Sequence, residues 1–588
     1  MKWFLCFTFI TILGQSISSD DIISVTIEQG EVNGKVEKTI LRNQIYYSFK
    51  GLPFALPPIG ELRFKPPVKH QGWSGTYEAF VNKPTCFQYS PRTRNGESFG
   101  ISGSEDCLYL SVFTSDVKRS LPVIVFDYND GFRSGFNGTR TYSPDFFMEE
   151  DVIVVTINHR LGLFGYLTTE DENIPGNNGL RDFILGLQWV KDNIKHFGGD
   201  PNRVTLMGNR GGAVLADILL YSHKAKNLFS AVILQSGTSM EPTLFYKEPR
   251  EAAFRLGELV GINTTNSNTL LEELQKIDAN ILITKEGEVV DTNNFELTQM
   301  AVYPFGPVVE KNNPDAILKF LPDNEMVVSD VPIIIGMNSR EGLDLISHFI
   351  FEPRLLTDLA QDFFVHVPRR SGFRFDKNSS VYENVVRDIQ NFYLEDGYLH
   401  YANILEYAVY IGDVLQNYAL NHAARKLGKE LKSDIYYYMF DFRGLLNENS
   451  EYMSRYARSS MEHWGATITD ELCYLHLCSR IQKTYKQLLK LLSEQPEIKV
   501  LKKMVRLWTN FAKYRDPTPD NNDEILKDFI WQPVRKNNDN INYLHITKKL
   551  QMRVNPLGER AKFWDNFIAK YSALAKEGVV SDKYHDEL

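Results

Sequence analysis

The stretch that most constrains this chain joins a strand-like run, Arg203-Val204-Thr205-Leu206-Met207, to a helix-like run from Ala213 to Leu220. The joint is Gly208-Asn209-Arg210-Gly211-Gly212. Its glycines permit a turn tighter than other residues tolerate. In the form Gly-x-Ser-x-Gly, such a strand-to-helix turn is a nucleophile elbow that lifts a serine above the sheet. Here arginine stands in the serine's place. A guanidinium stays protonated at working pH and cannot attack a carbonyl carbon.

Strand and helix signals alternate through the first half. Pro122-Val123-Ile124-Val125-Phe126 and the run from Val152 to Ile157 are short, apolar and β-branched, as buried strands are. Phe183, Ile184, Leu187, Val190 and Ile194 recur at helical spacing, with Asp182 as the expected N-cap. Ala231-Val232-Ile233-Leu234 and Pro332-Ile333-Ile334-Ile335 supply further strands. The pattern predicts an α/β fold: a large, mostly parallel central sheet flanked by helices. The C-terminal part reads as more helical, over Ile481 to Leu492 and Val500 to Tyr514. No Gly/Ser/Pro-rich linker divides the 588 residues, so one large domain with helical insertions is expected.

Both ends carry addresses. Lys2, the apolar run from Trp3 to Leu13 and the small residues Ser16 and Ser18 predict a signal peptide over 1–18. That leaves a domain over 19–575 and a tail over 576–588. The leader's apolar run is short for a bilayer span, and no other run is long enough, so no transmembrane segment is expected. His585-Asp586-Glu587-Leu588 matches an ER-retention signal, which implies an ER retrieval receptor as partner and an exposed, loop-like approach over Glu577 to Tyr584. The net charge of -9 argues against nucleic acid and anionic membranes. No nucleotide, cofactor or metal motif stands out. Beyond Cys6 in the leader, the cysteines are Cys86, Cys107, Cys473 and Cys478, which allow three pairings. A Cys86–Cys107 bridge would close a short loop in an oxidising lumen. The Cys473/Cys478 spacing is awkward for a bridge within one helix, leaving room for free thiols. Sequons at Asn137, Asn263 and Asn378 predict N-glycosylation.

Several blocks, in order, resemble the type-B carboxylesterase and cholinesterase family of α/β-hydrolases. They are Phe49-Lys50-Gly51-Leu52-Pro53-Phe54-Ala55, the stretch from Pro57 to Phe64, Glu105-Asp106-Cys107-Leu108-Tyr109-Leu110, Asn158-His159-Arg160-Leu161-Gly162 and Phe197-Gly198-Gly199-Asp200-Pro201. Gln235-Ser236-Gly237 and Trp508-Thr509-Asn510-Phe511 follow. The likeness covers nearly all the mature chain, has an insect-like look and supports the Cys86–Cys107 pairing.

The resemblance implies a serine, a histidine base, an orienting acid and an oxyanion hole. Gly336-Met337-Asn338-Ser339-Arg340-Glu341-Gly342 resembles the acid loop, which makes Glu341 the retained acid. Gly465-Ala466-Thr467-Ile468-Thr469-Asp470-Glu471-Leu472 resembles the base block, with Ile468 at the histidine's place. His463, five residues earlier, would sit too far off, since a small misplacement of a catalytic group is costly. Phe126-Asp127-Tyr128-Asn129-Asp130-Gly131-Phe132 resembles the oxyanion turn. Tyr128 replaces a histidine, Asn129 and Asp130 replace two glycines, and Gly131 remains. Asn209 replaces the elbow's usual glutamate. A lone buried arginine is costly, so Arg210 is expected to pair with Glu341, Asp130 or both.

With nucleophile, base and oxyanion turn altered together, the expectation is a non-catalytic luminal protein that binds a protein partner or a small apolar ligand. Tyr303, Phe305, Phe349, Phe351 and Phe363 could line a ligand pocket, although core packing suits most of them. The competing expectation is a carboxylic ester hydrolase with a rewired site.

Overall fold

The computed structural model describes residues 21–90, 100–135, 141–290, 304–310, 313–457, 465–491, 495–520, 522–534 and 540–582. The segments read as a signal peptide and a retention tetrapeptide lie outside them. At the centre is a 14-stranded sheet. Its middle runs in the order Ile153–Ile157, Leu121–Asp130, Gly199–Arg210, Ala231–Gln235, Ile333–Asn338, Ile435–Phe440 and Asn542–Ile546. Each of these neighbours its successor in parallel. Antiparallel strands extend both flanks: Tyr109–Thr114 beside Ile153–Ile157, and Leu550–Val554 beside Asn542–Ile546. This is the α/β-hydrolase architecture expected, with mixed margins on a parallel core.

Parallel strands must be covered on both faces, and these are. Alternate residues of one strand feed opposite cores: Val123 and Val125 enter one apolar cluster, Ile124 and Phe126 the other. Helices Asn178–Asn193 and Gly211–Leu220 cover the first face through Leu180, Leu187, Val214 and Leu215. Helix Pro496–Tyr514 covers the second through Leu501, Met504, Trp508 and Phe511. Each fully buried aliphatic or aromatic side chain contributes about 1.5–3 kcal/mol. Among the described residues, no helix is long and apolar enough to cross a membrane.

Three local expectations need correction. Asp182 does not cap its helix, which begins four residues earlier behind Asn177 in a left-handed conformation (φ 52°). Asp182 is instead fully buried and clamps Arg160 at 2.7 Å. Cys473 and Cys478 are bridged. They do not share a helix: a 3-10 turn, Asp470–Tyr474, leads into a two-residue strand, Leu477–Cys478, and their Cα atoms stand 5.4 Å apart. The C-terminal approach is not all loop either. Val579–Val580 pairs in parallel with Arg374–Phe375, and the Asp582 carboxylate accepts the amides of Ser380 (2.6 Å) and Val381 (3.1 Å). The Cys86–Cys107 bridge is present as expected.

Candidate functional site around Arg210

The turn is as tight as its glycines suggest. Strand Gly199–Arg210 passes straight into helix Gly211–Leu220, and Arg210 alone takes up the change of direction (φ 53°, ψ −121°). Such a backbone costs a non-glycine residue roughly 1–3 kcal/mol and persists only where surrounding contacts fix it. The guanidinium supplies two. Nη2 lies 3.0 Å from Asp130 Oδ1, and Nη1 lies 3.5 Å from Asp344 Oδ2. The Arg210 side chain is 16% exposed.

The pairing with Asp130 is the expected one; the second carboxylate is Asp344. Glu341 is held deeper. It accepts Ser236 Oγ at 2.6 Å, the Asn338 amide at 2.6 Å and Asn338 Nδ2 at 3.3 Å. Asp344 sits on the next short helix, Gly342–Leu345, and is steadied by Asn449 Nδ2 at 2.9 Å. Three residues of chain therefore separate the carboxylate that faces Arg210 from the one that faces the core.

Behind Glu341 lies a second buried acid, Glu471. It accepts Asn209 Nδ2 at 2.8 Å and Asn338 Nδ2 at 2.7 Å. Asn209 thus has a definite task beside the elbow. Asn338 bonds both glutamates through one nitrogen. Burial pushes the Glu341 carboxyl up to about 7, against the pull of Ser236, Asn338 and the Arg210 charge. Burial, reinforced by the Glu341 charge, pushes Glu471 up to about 8. Two acids this close do not both ionise readily in the interior.

Ile468 is 1% exposed and offers no atom that accepts a proton through its side chain. Its carbonyl accepts Asn449 Nδ2 at 3.1 Å. His463 lies outside the described residues. The imidazole bordering the site is His159, whose Nε2 approaches the Asp127 carboxylate at 3.4 Å. Burial pulls its pKa down, but the charge and hydrogen bond of Asp127, the Arg160 carbonyl and the Asp182 charge together raise it.

The oxyanion stretch is extended strand almost to its end. Asn129 pairs in register with Arg210 on one side and Gly135 on the other, and the chain reverses through Gly131 (φ 59°) and Phe132 (φ 63°). The Asn129 carboxamide is locked at both ends. Its Oδ1 accepts the Phe132 amide at 2.9 Å, and its Nδ2 donates to Asp127 Oδ2 at 2.9 Å. That Oδ1 stands only 1.8 Å from where a Cβ on Gly211 would lie, so glycine is required there. A side-chain oxygen therefore fills the space beside the first helical residue, and an aspartate stands next to it. Anionic oxygens are stabilised by donors, whereas the Asn129 Oδ1 beside Gly211 is itself an acceptor.

A carboxylesterase family model matches residues 21–564. The chain belongs to the carboxylesterase family. A carboxylic ester hydrolase of Bombus ignitus is 30% identical over 88% of this chain and 90% of its own length. Juvenile hormone esterase of Tribolium castaneum is 30% identical over 89% of each. Venom carboxylesterase-6 of Apis mellifera is 28% identical, covering 91% of this chain and 92% of its own. The insect-like look of the sequence agrees with these relatives.

The remaining sequence-derived positions fall as follows. Asn263 and Asn378 are exposed, while Asn137 lies outside the described residues. Phe305 is buried, and Phe363 packs against Tyr407 and Tyr410 with ring centroids 6.2 and 5.4 Å away. Phe349 contacts Tyr407 at 6.2 Å. Tyr303 and the side chain of Phe351 lie outside the description. The aromatics that can be followed are thus packed into the core. Asp344 and Glu471 carried no assigned role in the sequence; the signal available was their spacing, three residues beyond Glu341 and Ile468 respectively.

Proposed function

We propose that this carboxylesterase-family chain is a pseudoenzyme of the ER lumen that acts by binding a protein partner or a small apolar ligand. The observation that carries the reading is the Arg210 guanidinium, held between Asp130 and Asp344 at the turn where a hydrolase of this family mounts its serine. Ile468 at the base position and the Asn129 carboxamide beside Gly211 support it independently. Among the described residues no imidazole bonds Glu341; Ser236 and Asn338 take up its oxygen. The luminal placement rests on the signal peptide, the retention tetrapeptide and two disulfides, which suit an oxidising compartment.

A hydrolase with a rewired site is the competing reading, and the retained Glu341 is its support. Purified protein is offered a short-chain aryl ester and a serine-directed organophosphate. Neither turnover nor stoichiometric labelling above a heat-denatured control is expected. Turnover well above that control refutes the pseudoenzyme reading.

A further inference from the structure

On a part of the molecule that the proposed function does not use, three metal-ligating side chains converge. Cys473 lies in the 3-10 turn Asp470–Tyr474, Cys478 ends the strand Leu477–Cys478, and Glu448 opens helix Glu448–Ala457. One ligand atom from each lies within 4.8 Å of the other two. The sulfurs are fully buried, and the Glu448 side chain is 13% exposed, which leaves an approach from its side.

The distances suit one metal class. Tetrahedral zinc binds sulfur at about 2.3 Å and carboxylate oxygen at about 2.0 Å, which sets the oxygen and sulfur ligands about 3.5 Å apart. Glu448 Oε2 already stands 3.6 Å from Cys473 Sγ. The two sulfurs must separate to about 3.8 Å, which side-chain rotation on Cα atoms 5.4 Å apart allows. Glu448 also draws a cation now: Arg480 Nη1 lies 3.4 Å from its Oε1, on a side chain 59% exposed that can swing aside. His476 lies between the two cysteines in sequence but packs its ring on Phe126 (4.3 Å) and stays outside the cluster. A tetrahedral ion held by these three side chains would take water as its fourth ligand.

We propose that reduction of the Cys473–Cys478 disulfide converts this cluster into a site for one zinc ion, held by Cys473, Cys478 and Glu448. A dithiol reductant gives up two electrons and two protons, the S–S bond breaks into two thiols, and the reductant becomes a disulfide. Zinc then displaces both thiol protons as it binds the thiolates. The same 3-10 turn carries Glu471, two residues before Cys473, which bonds Asn209 beside Arg210.

The test uses the mature full-length protein, reduced anaerobically with a dithiol that is then removed. Cobalt(II) is the probe, because thiolate ligation gives it a charge-transfer band. One equivalent is expected to bind and zinc to displace it, while the oxidised protein binds none. The C473S/C478S variant is expected to lose the band. E448A should weaken binding at least about tenfold, the cost of losing groups that merely orient a ligand. Reduced wild type supplies a readout that needs no variant: zinc should slow alkylation of Cys473 and Cys478 at least about tenfold relative to the same reduced protein without zinc, as mapped by peptide mass spectrometry, and leave the rates at Cys86 and Cys107 unchanged. No stoichiometric binding by the reduced protein overturns the proposal. So does a band that survives in C473S/C478S, or zinc protection that falls on Cys86 and Cys107 instead.

Discussion

At the scale of single residues, the site is shaped by volume as much as by charge. Asn129 Oδ1 and the missing Cβ of Gly211 compete for one place, 1.8 Å apart. Gly211→Ala should therefore destabilise the protein by about 1–3 kcal/mol, as overpacking of a tight interior does. Asn129→Gly removes the obstructing carboxamide, so Asn129→Gly with Gly211→Ala should recover most of that loss. Urea denaturation of the four proteins in a double-mutant cycle measures the coupling. A Gly211→Ala protein as stable as wild type contradicts the close contact. Arg210 shows the other side of the same economy. Its strained backbone and its two ion pairs belong together, because an arginine aimed elsewhere would leave Asp130 and Asp344 facing each other.

At the scale of elements, two buried acids come from separate segments: Glu341 follows strand Ile333–Asn338, and Glu471 lies in the turn Asp470–Tyr474. Their folded pKa values, about 7 and about 8, stand above the ordinary 4.5. The folded chain thus keeps protons that the unfolded chain releases. The pair's contribution to stability is full below about pH 4.5 and falls as pH rises to about 8, where the loss levels off. Glu471→Gln leaves the hydrogen-bonding shape and removes the ionisation, so its urea midpoint should vary less between pH 5 and 8 than that of wild type. Equal slopes would show that Glu471 is ionised throughout that range. The sheet itself was legible from short β-branched runs and a glycine turn, because those signals are local. The Glu341–Asn338–Glu471 group was not. It depends on the register that brings residues 130 positions apart onto one nitrogen, and no spacing in the chain announces that. Asp182 failed for a related reason: its carboxylate is taken by Arg160, a partner in the loop after strand Ile153–Ile157.

At the scale of the whole molecule, the elbow draws on four stretches that only the assembled sheet brings together: the strand ends at Asn129 and Arg210, the short helix after Glu341, and the turn after Ile468. Catalysis in such a site fails as a unit, and the parts of a triad are grossly non-additive. Restoring serine and histidine alone, as Arg210→Ser with Ile468→His, leaves Asn129 Oδ1 in the hollow and Asp130 unpaired beside it. Each missing oxyanion donor costs about 2.7–4 kcal/mol, or roughly a hundred- to a thousandfold in rate. The double variant should therefore give little aryl-ester turnover. Adding Asn129→Gly and Asp130→Gly empties the hollow and removes the carboxylate. The quadruple variant should then label with an organophosphate and turn over ester at least about a hundredfold faster than the double variant. Circular dichroism and urea midpoints must first show all three proteins folded. Strong activity in the double variant would mean that the Asn129–Asp130 stretch still accommodates an oxyanion. In that case Arg210 and Ile468 alone stand between this scaffold and hydrolysis.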